Sequence, residues 1–175
     1  MKKIIITFAL FLTPLFFFGQ TVFDKYEGQE TVTAVSVNKK MFQLMSNVKM
    51  DAKDKEMAQY VSLLKKLDNL KVYTTTNTKI STDMKATFEK YMKTNSLEEL
   101  MRVNDKGQNV RIYVKSGASE NQVKELLMFI DGGGAKEDTV LMALTGNFDL
   151  NEISTLTNKM NLPGGEELKK ASKKK

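Results

Sequence analysis

Serine and lysine come closest to a reactive pattern in this chain of 175 residues. Ser36-Val37-Asn38-Lys39 and Ser62-Leu63-Leu64-Lys65 both read S-x-x-K, and Lys115-Ser116-Gly117 reads K-S-G. In an acylating enzyme that spacing lets a lysine amine, one helical turn from a serine, take the hydroxyl proton. With 9 Ser and 25 Lys in the chain, one or two such matches arise by chance. Their settings also argue against the chemistry. Ser36 falls in a predicted strand and Ser62 in the middle of a predicted helix, whereas the nucleophile belongs at the start of a buried helix. Asp131-Gly132-Gly133-Gly134 would cradle a phosphate if it opened a helix, but a strand is predicted to follow, so it reads as a hairpin loop. Asp51-Ala52-Lys53-Asp54 and Asp149-Leu150-Asn151-Glu152 lack the alternating ligands and central glycine of a calcium loop and read as helix caps. Paired carboxylates for glycoside hydrolysis cannot be matched from sequence, and none of the 21 acids sits in a local context that would obviously raise its pKa.

The chain contains no Cys, His or Trp. Disulfides, zinc–thiolate sites, imidazole acid–base chemistry and every triad requiring His or Cys are thereby excluded. No catalytic, cofactor-binding or metal-binding residue is assigned, and the expectation is a non-enzymatic protein without a cofactor. The alternative is a hydrolase or transferase using Ser/Lys or paired carboxylates.

The formal charge is +6. Seven lysines lie at the ends: Lys2 and Lys3, then Lys169, Lys170, Lys173, Lys174 and Lys175. Setting those seven aside from the +6 leaves −1 for the middle of the chain, so no basic nucleic-acid face is expected. The tail reads as a solvated, disordered segment capable of weak contact with an anionic membrane surface.

Positioning begins with a leader. Lys2-Lys3, an apolar run from Ile4 to Phe18 and Gly19-Gln20 make a secretory signal peptide over residues 1–19, cleaved near Gly19. An uncleaved N-terminal anchor is the rival reading. No Cys follows the apolar run, so a lipidated cysteine is excluded. The expected location is periplasmic or secreted. One domain is expected over 20–162, with a basic disordered tail over 163–175.

Within the domain, Thr31–Val37 is β-branched and reads as a strand. Asn38 caps a helix whose buried face is Met41, Phe42, Leu44, Met45 and Val48. Asp51 and Asp54 open a second helix that buries Met57, Tyr60, Val61, Leu64 and Leu67. Leu70–Thr76 returns to strand character, and Ser81 or Thr82 caps a third helix carrying Met84, Phe88, Tyr91 and Met92. Four strands follow: Leu100–Val103, a half-buried strand of Val110, Ile112 and Val114, then Val123–Ile130 and Thr139–Thr145. The turn Asn104–Gln108 places Gly107 where a positive φ is needed. Asp149 and Glu152 start the last helix, with Leu150, Ile153, Leu156 and Met160 buried and Pro163-Gly164-Gly165 ending it.

A run of consecutive strands flanked by helices predicts an α+β fold: an antiparallel β-meander sheet with about four helices packed on it, as a two-layer single domain. A crossover between the first two strands is right-handed if they are parallel neighbours. The ten methionines after Met1 read as core filling, with a Met-rich recognition groove as the alternative. The polar, β-prone stretch Tyr73–Thr78 offers itself as an exposed edge open to strand addition, or as a plain strand-to-loop exit.

Val35–Met45, Leu64–Tyr73, Glu99–Asp105, Glu125–Ile130 and Leu144–Leu150 together resemble a family of secreted Bacteroidota proteins, domain-of-unknown-function family 4252. The likeness extends over about Phe23–Leu162 and rests on core and capping positions. It implies an extracytoplasmic protein without assigned enzymology, of a kind sometimes encoded beside envelope-stress sigma-factor systems. It carries over no functional residues, and the basic tail departs from the family pattern. The expected function is an exported binding or interaction module, linked to envelope stress or adhesion, with an unidentified envelope or extracellular protein or ligand as partner.

Overall fold

The computed structural model describes residues 21–47, 54–105, 107–119, 121–132, 138–160 and 163–172. The leader over 1–19, Val48, Asp51, Gly133, Gly134 and Lys173–Lys175 lie outside the described residues.

After a short 3-10 helix at Thr21–Tyr26 come β1 (Thr33–Asn38), α1 (Lys39–Ser46), α2 (Lys55–Lys66), β2 (Leu67–Thr75) and α3 (Thr78–Thr94). Then follow β3 (Glu98–Asp105), β4 (Gln108–Ser116), β5 (Gln122–Asp131) and β6 (Thr139–Asp149), a 3-10 turn at Leu150–Glu152, α4 (Ile153–Met160) and α5 (Gly165–Ser172). The strands form a six-stranded sheet in the order β1-β2-β6-β5-β4-β3. Every neighbouring pair is antiparallel. The meander β3 to β6 is thus extended by β2 and β1, and the protein is the expected α+β domain. Because β1 and β2 are antiparallel, the handedness rule for parallel crossovers does not apply to their connection.

Local chemistry explains the element boundaries. Asn38 accepts from Met41 N at 3.0 Å and Asp54 from Met57 N at 2.9 Å, so the expected caps of α1 and α2 form. α3 starts earlier than expected. Asn77 accepts from Lys79 N and Ile80 N at 3.0 and 3.2 Å, taking the capping role expected of Ser81 or Thr82. Gly107 adopts φ +91 in the β3–β4 turn, as its position required. Asp149 and Glu152 form the expected capping box.

Both faces of the sheet are covered, which makes three layers where two were expected. On the first face, Val37, Leu70, Val72, Ile112, Met128 and Met142 pack beneath Phe42 of α1, Leu63 and Leu64 of α2, Ile153 and Leu156 of α4 and Leu168 of α5. On the second, Tyr73, Leu127, Phe129, Leu141 and Ala143 meet Met84, Phe88 and Tyr91 of α3 and Phe23 and Tyr26 of the first 3-10 helix. The cause lies in β5 and β6, whose residues are apolar on both sides and require burial on both.

Three further expectations are corrected. Residues 165–172 are helical and Leu168 is fully buried, so much of the segment expected to be a disordered tail is a helix anchored to the core through Leu168. Leu67, placed on a helix face by periodicity, is the first residue of β2, because α2 runs into the strand without a loop. Met41 and Leu44 are 49% and 56% exposed, so α1 buries only its Phe42 side.

The α2–β2 junction explains Gly146. A Cβ there would strike the Lys66 carbonyl oxygen and sit 2.9 Å from Leu67 Cα, both backbone atoms that cannot swing aside. Gly146→Ala is therefore expected to lower stability by about 2 kcal/mol or more, read as a reduced midpoint in chemical denaturation.

Candidate functional site

The serine–lysine candidates are scattered. Ser36 lies exposed on β1, and the amine of Lys39 is taken by Asp68 at 2.7 Å. Ser62 and Lys65 are exposed on α2, and Lys115 and Ser116 exposed at the end of β4. Three strands separate β1 from β4, so the motifs are not brought together. Asp149 and Glu152 spend their oxygens on capping, and Glu152 also accepts from Lys66 Nζ at 2.8 and 2.9 Å. Among the described residues no group of three acidic side chains is placed to hold a metal ion.

A half-open cavity of about 430 Å³ lies between the first 3-10 helix and the start of α3, lined by Tyr26, Gln29, Asn77, Lys79, Ile80 and Asp83. The Tyr26 hydroxyl donates to Asp83 Oδ2 at 2.7 Å and lies 2.9 Å from Thr87 Oγ1. Lys25 Nζ reaches the same Asp83 oxygen at 2.5 Å. Lys25 and then Tyr26 hold the Asp83 carboxyl below its ordinary range, while burial pushes the Tyr26 phenol well above its own. The pair offers neither an acid nor a base poised near neutral pH. Its work is to pin the first 3-10 helix onto α3.

The second face of the sheet also encloses charge. Glu125, 7% exposed on β5, accepts from the Tyr91 hydroxyl at 2.6 Å. Arg111 of β4 lies over the rings of Phe88 and Phe129, 4.8 and 5.6 Å from their centroids, and reaches Glu89 at 3.6 Å. The sequence reading missed Tyr26, Asp83 and Glu125. The signal available for Glu125 was a lone acid entering an otherwise apolar strand. Desolvation raises the Glu125 pKa, opposed by the Tyr91 hydrogen bond and by the charge of Lys115 on the adjacent strand. A carboxyl with a raised folded pKa binds its proton more tightly folded than unfolded. Its contribution is full below the unfolded value, near 4.5, and is lost as pH rises through the folded value. Glu125→Gln keeps an acceptor for Tyr91 and is expected to abolish that loss. The variant's stability relative to the parent should increase as pH rises from about 4 to 7, measured by denaturation at each pH.

The stretch Tyr73–Thr78 is not an edge. Tyr73, Thr74 and Thr75 lie in β2 between β1 and β6, Tyr73 is fully buried, and Asn77 caps α3. The Tyr73 hydroxyl is buried without a hydrogen-bond partner, near the charges of Asp24 and Glu27. Tyr73→Phe should therefore stabilise the protein by about 1 kcal/mol in a denaturant titration.

The true edges are β1 and β3, and they differ. β3 carries Glu98, Glu99 and Arg102, with a register shift between Glu99 and Met101. Its Glu99 accepts from Arg102 at 2.5 Å and from the Tyr113 hydroxyl at 2.6 Å. Charge and bulge are the devices by which sheet edges resist further pairing. β1 reads Thr-Ala-Val-Ser-Val-Asn, with no charge, no proline and unbroken register against β2. Val35 at its centre is 44% exposed, and Met41 and Leu44 of the following helix are exposed as well. An uncharged, regular edge beside exposed apolar side chains is equipped to accept a strand.

The model of the family described as domain of unknown function (DUF4252) matches residues 26–156, a span running from the last residue of the first 3-10 helix into α4. No curated protein and no solved structure gives a match. The matched residues include all six strands, and the chain belongs to the DUF4252 family.

Proposed function

We propose that this protein is an exported, non-enzymatic interaction module that works by accepting an extended strand along β1. The single observation that supports the reading is the contrast between its two sheet edges. β3 is guarded by charge and a bulge, whereas β1 is regular, uncharged and flanked by exposed Val35, Met41 and Leu44. Main-chain hydrogen bonds to the edge would supply affinity, and the apolar side chains beside it would select the partner. The leader, with its lysines, apolar run and Gly19, supports export and a periplasmic or secreted location. An association with envelope stress or adhesion is part of this reading. A weak membrane contact of the C-terminal lysines is compatible with it.

The favoured reading over a hydrolase or transferase rests on the dispersal of Ser36, Ser62 and Ser116 and on the committed amine of Lys39. A photo-crosslinking residue placed at Val35, in the protein expressed in its own cells, is expected to give a discrete crosslinked product. The same residue at Arg102 of β3 should give none. Equal labelling at the two edges, or no product at Val35, would sink the proposal.

A further inference from the structure

We infer that the strand accepted by β1 is β1 of a second copy of this chain, paired antiparallel about a two-fold axis through Val35. This rests on the reading of β1 as an accepting edge and adds the identity of the partner.

Symmetry and charge together select it. Directly opposed residues of an antiparallel pair point to the same face of the sheet. A two-fold axis perpendicular to the sheet keeps each face on its own side, so it must pass through a residue and not between residues. An axis through Val35 sets Val35 against its own copy, Thr33 against Val37 and Ala34 against Ser36. All of these belong to β1, whose exposed members gain cover. Met41 and Leu44, exposed on α1, the helix that packs on the Val37 side of the sheet, are carried on that same side in both copies.

The ends of β1 carry opposite charge. Glu27 and Glu30 are exposed on the approach to the strand, and Lys39 and Lys40 are exposed just beyond it. Antiparallel self-pairing about Val35 brings the acidic approach of each copy, with Glu27 and Glu30, toward the basic end of the other, with Lys40. A parallel arrangement would set acid against acid and base against base. The uncharged strand between these ends places no charge on the seam. β3 cannot substitute as the joining edge, because pairing it would bring its charges and bulge into the seam.

Sedimentation equilibrium of the purified protein over a wide concentration range tests the inference. A reversible dimer is expected. Val35→Lys faces two ammonium groups across the axis and should weaken it by about tenfold or more. Val35 is exposed, so circular dichroism and the denaturation midpoint should show the fold retained. Glu30→Lys and Lys40→Glu should each weaken the dimer by about threefold, and the double exchange should restore it, a rescue that a general loss of solubility or fold cannot produce. A chain that stays monomeric throughout, or a dimer indifferent to Val35→Lys and to the charge exchanges, would overturn self-pairing. The crosslink at Val35 separates the two levels. A product of twice the chain mass supports both. A product of any other mass, from a protein that is monomeric in solution, rejects the second copy and leaves the accepting edge standing.

Discussion

The fold turns on the two central strands of the meander, β5 and β6, which are apolar on both faces. Leu126, Met128 and Ile130 point to one side of β5, and Leu127 and Phe129 to the other. β6 repeats the pattern with Met142 and Leu144 against Leu141 and Ala143. An antiparallel sheet is free to leave one face to water only when one face is polar. These two strands remove that freedom. Four helices cover one side, α3 and the first 3-10 helix cover the other, and the chain closes on itself without a disulfide.

The two coverings differ in character. The side beneath α1, α2, α4 and α5 is almost wholly aliphatic. The side beneath α3 mixes aromatic rings with polar groups: Tyr26 on Asp83, Tyr91 on Glu125, Arg111 over Phe88 and Phe129. A single helix laid on a sheet by apolar contact alone has several nearly equal seats. Directional bonds at both ends and in the middle of α3 leave one. Polar residues that look like candidates for chemistry thus act in placement, with their oxygens and amines already committed to one another.

A sheet has two ends as well as two faces, and here the ends are treated unequally. β3 is armoured with Glu99, Arg102 and a bulge, while β1 is left plain. Covering the faces leaves only the edges for further strand pairing. The contrast between them is what supports the proposed interaction module.

How much of this was legible in the sequence depended on distance along the chain. Caps at Asn38, Asp54 and Asp149, the positive φ of Gly107 and the alternation of Val110, Ile112 and Val114 follow from neighbours a few residues away, and all appear as expected. The α+β class follows from the same local periods taken in order. The third layer, the burial of Leu168 and the exposure of Met41 and Leu44 do not, because an apolar residue is buried only if some other element arrives to cover it. Tyr73–Thr78 is the strand-to-loop exit, one of the two readings its residues allow, since β2 ends at Thr75 and Asn77 caps α3. That it is not an edge is decided elsewhere, because β1 pairs on one side of β2 and β6 on the other. Local periodicity decided what each segment is. Which strand stands at the rim, and which acids and amines meet across the sheet, was decided only by the order in which distant segments pair, since that order is set by the summed burial of both faces and by no one segment's pattern.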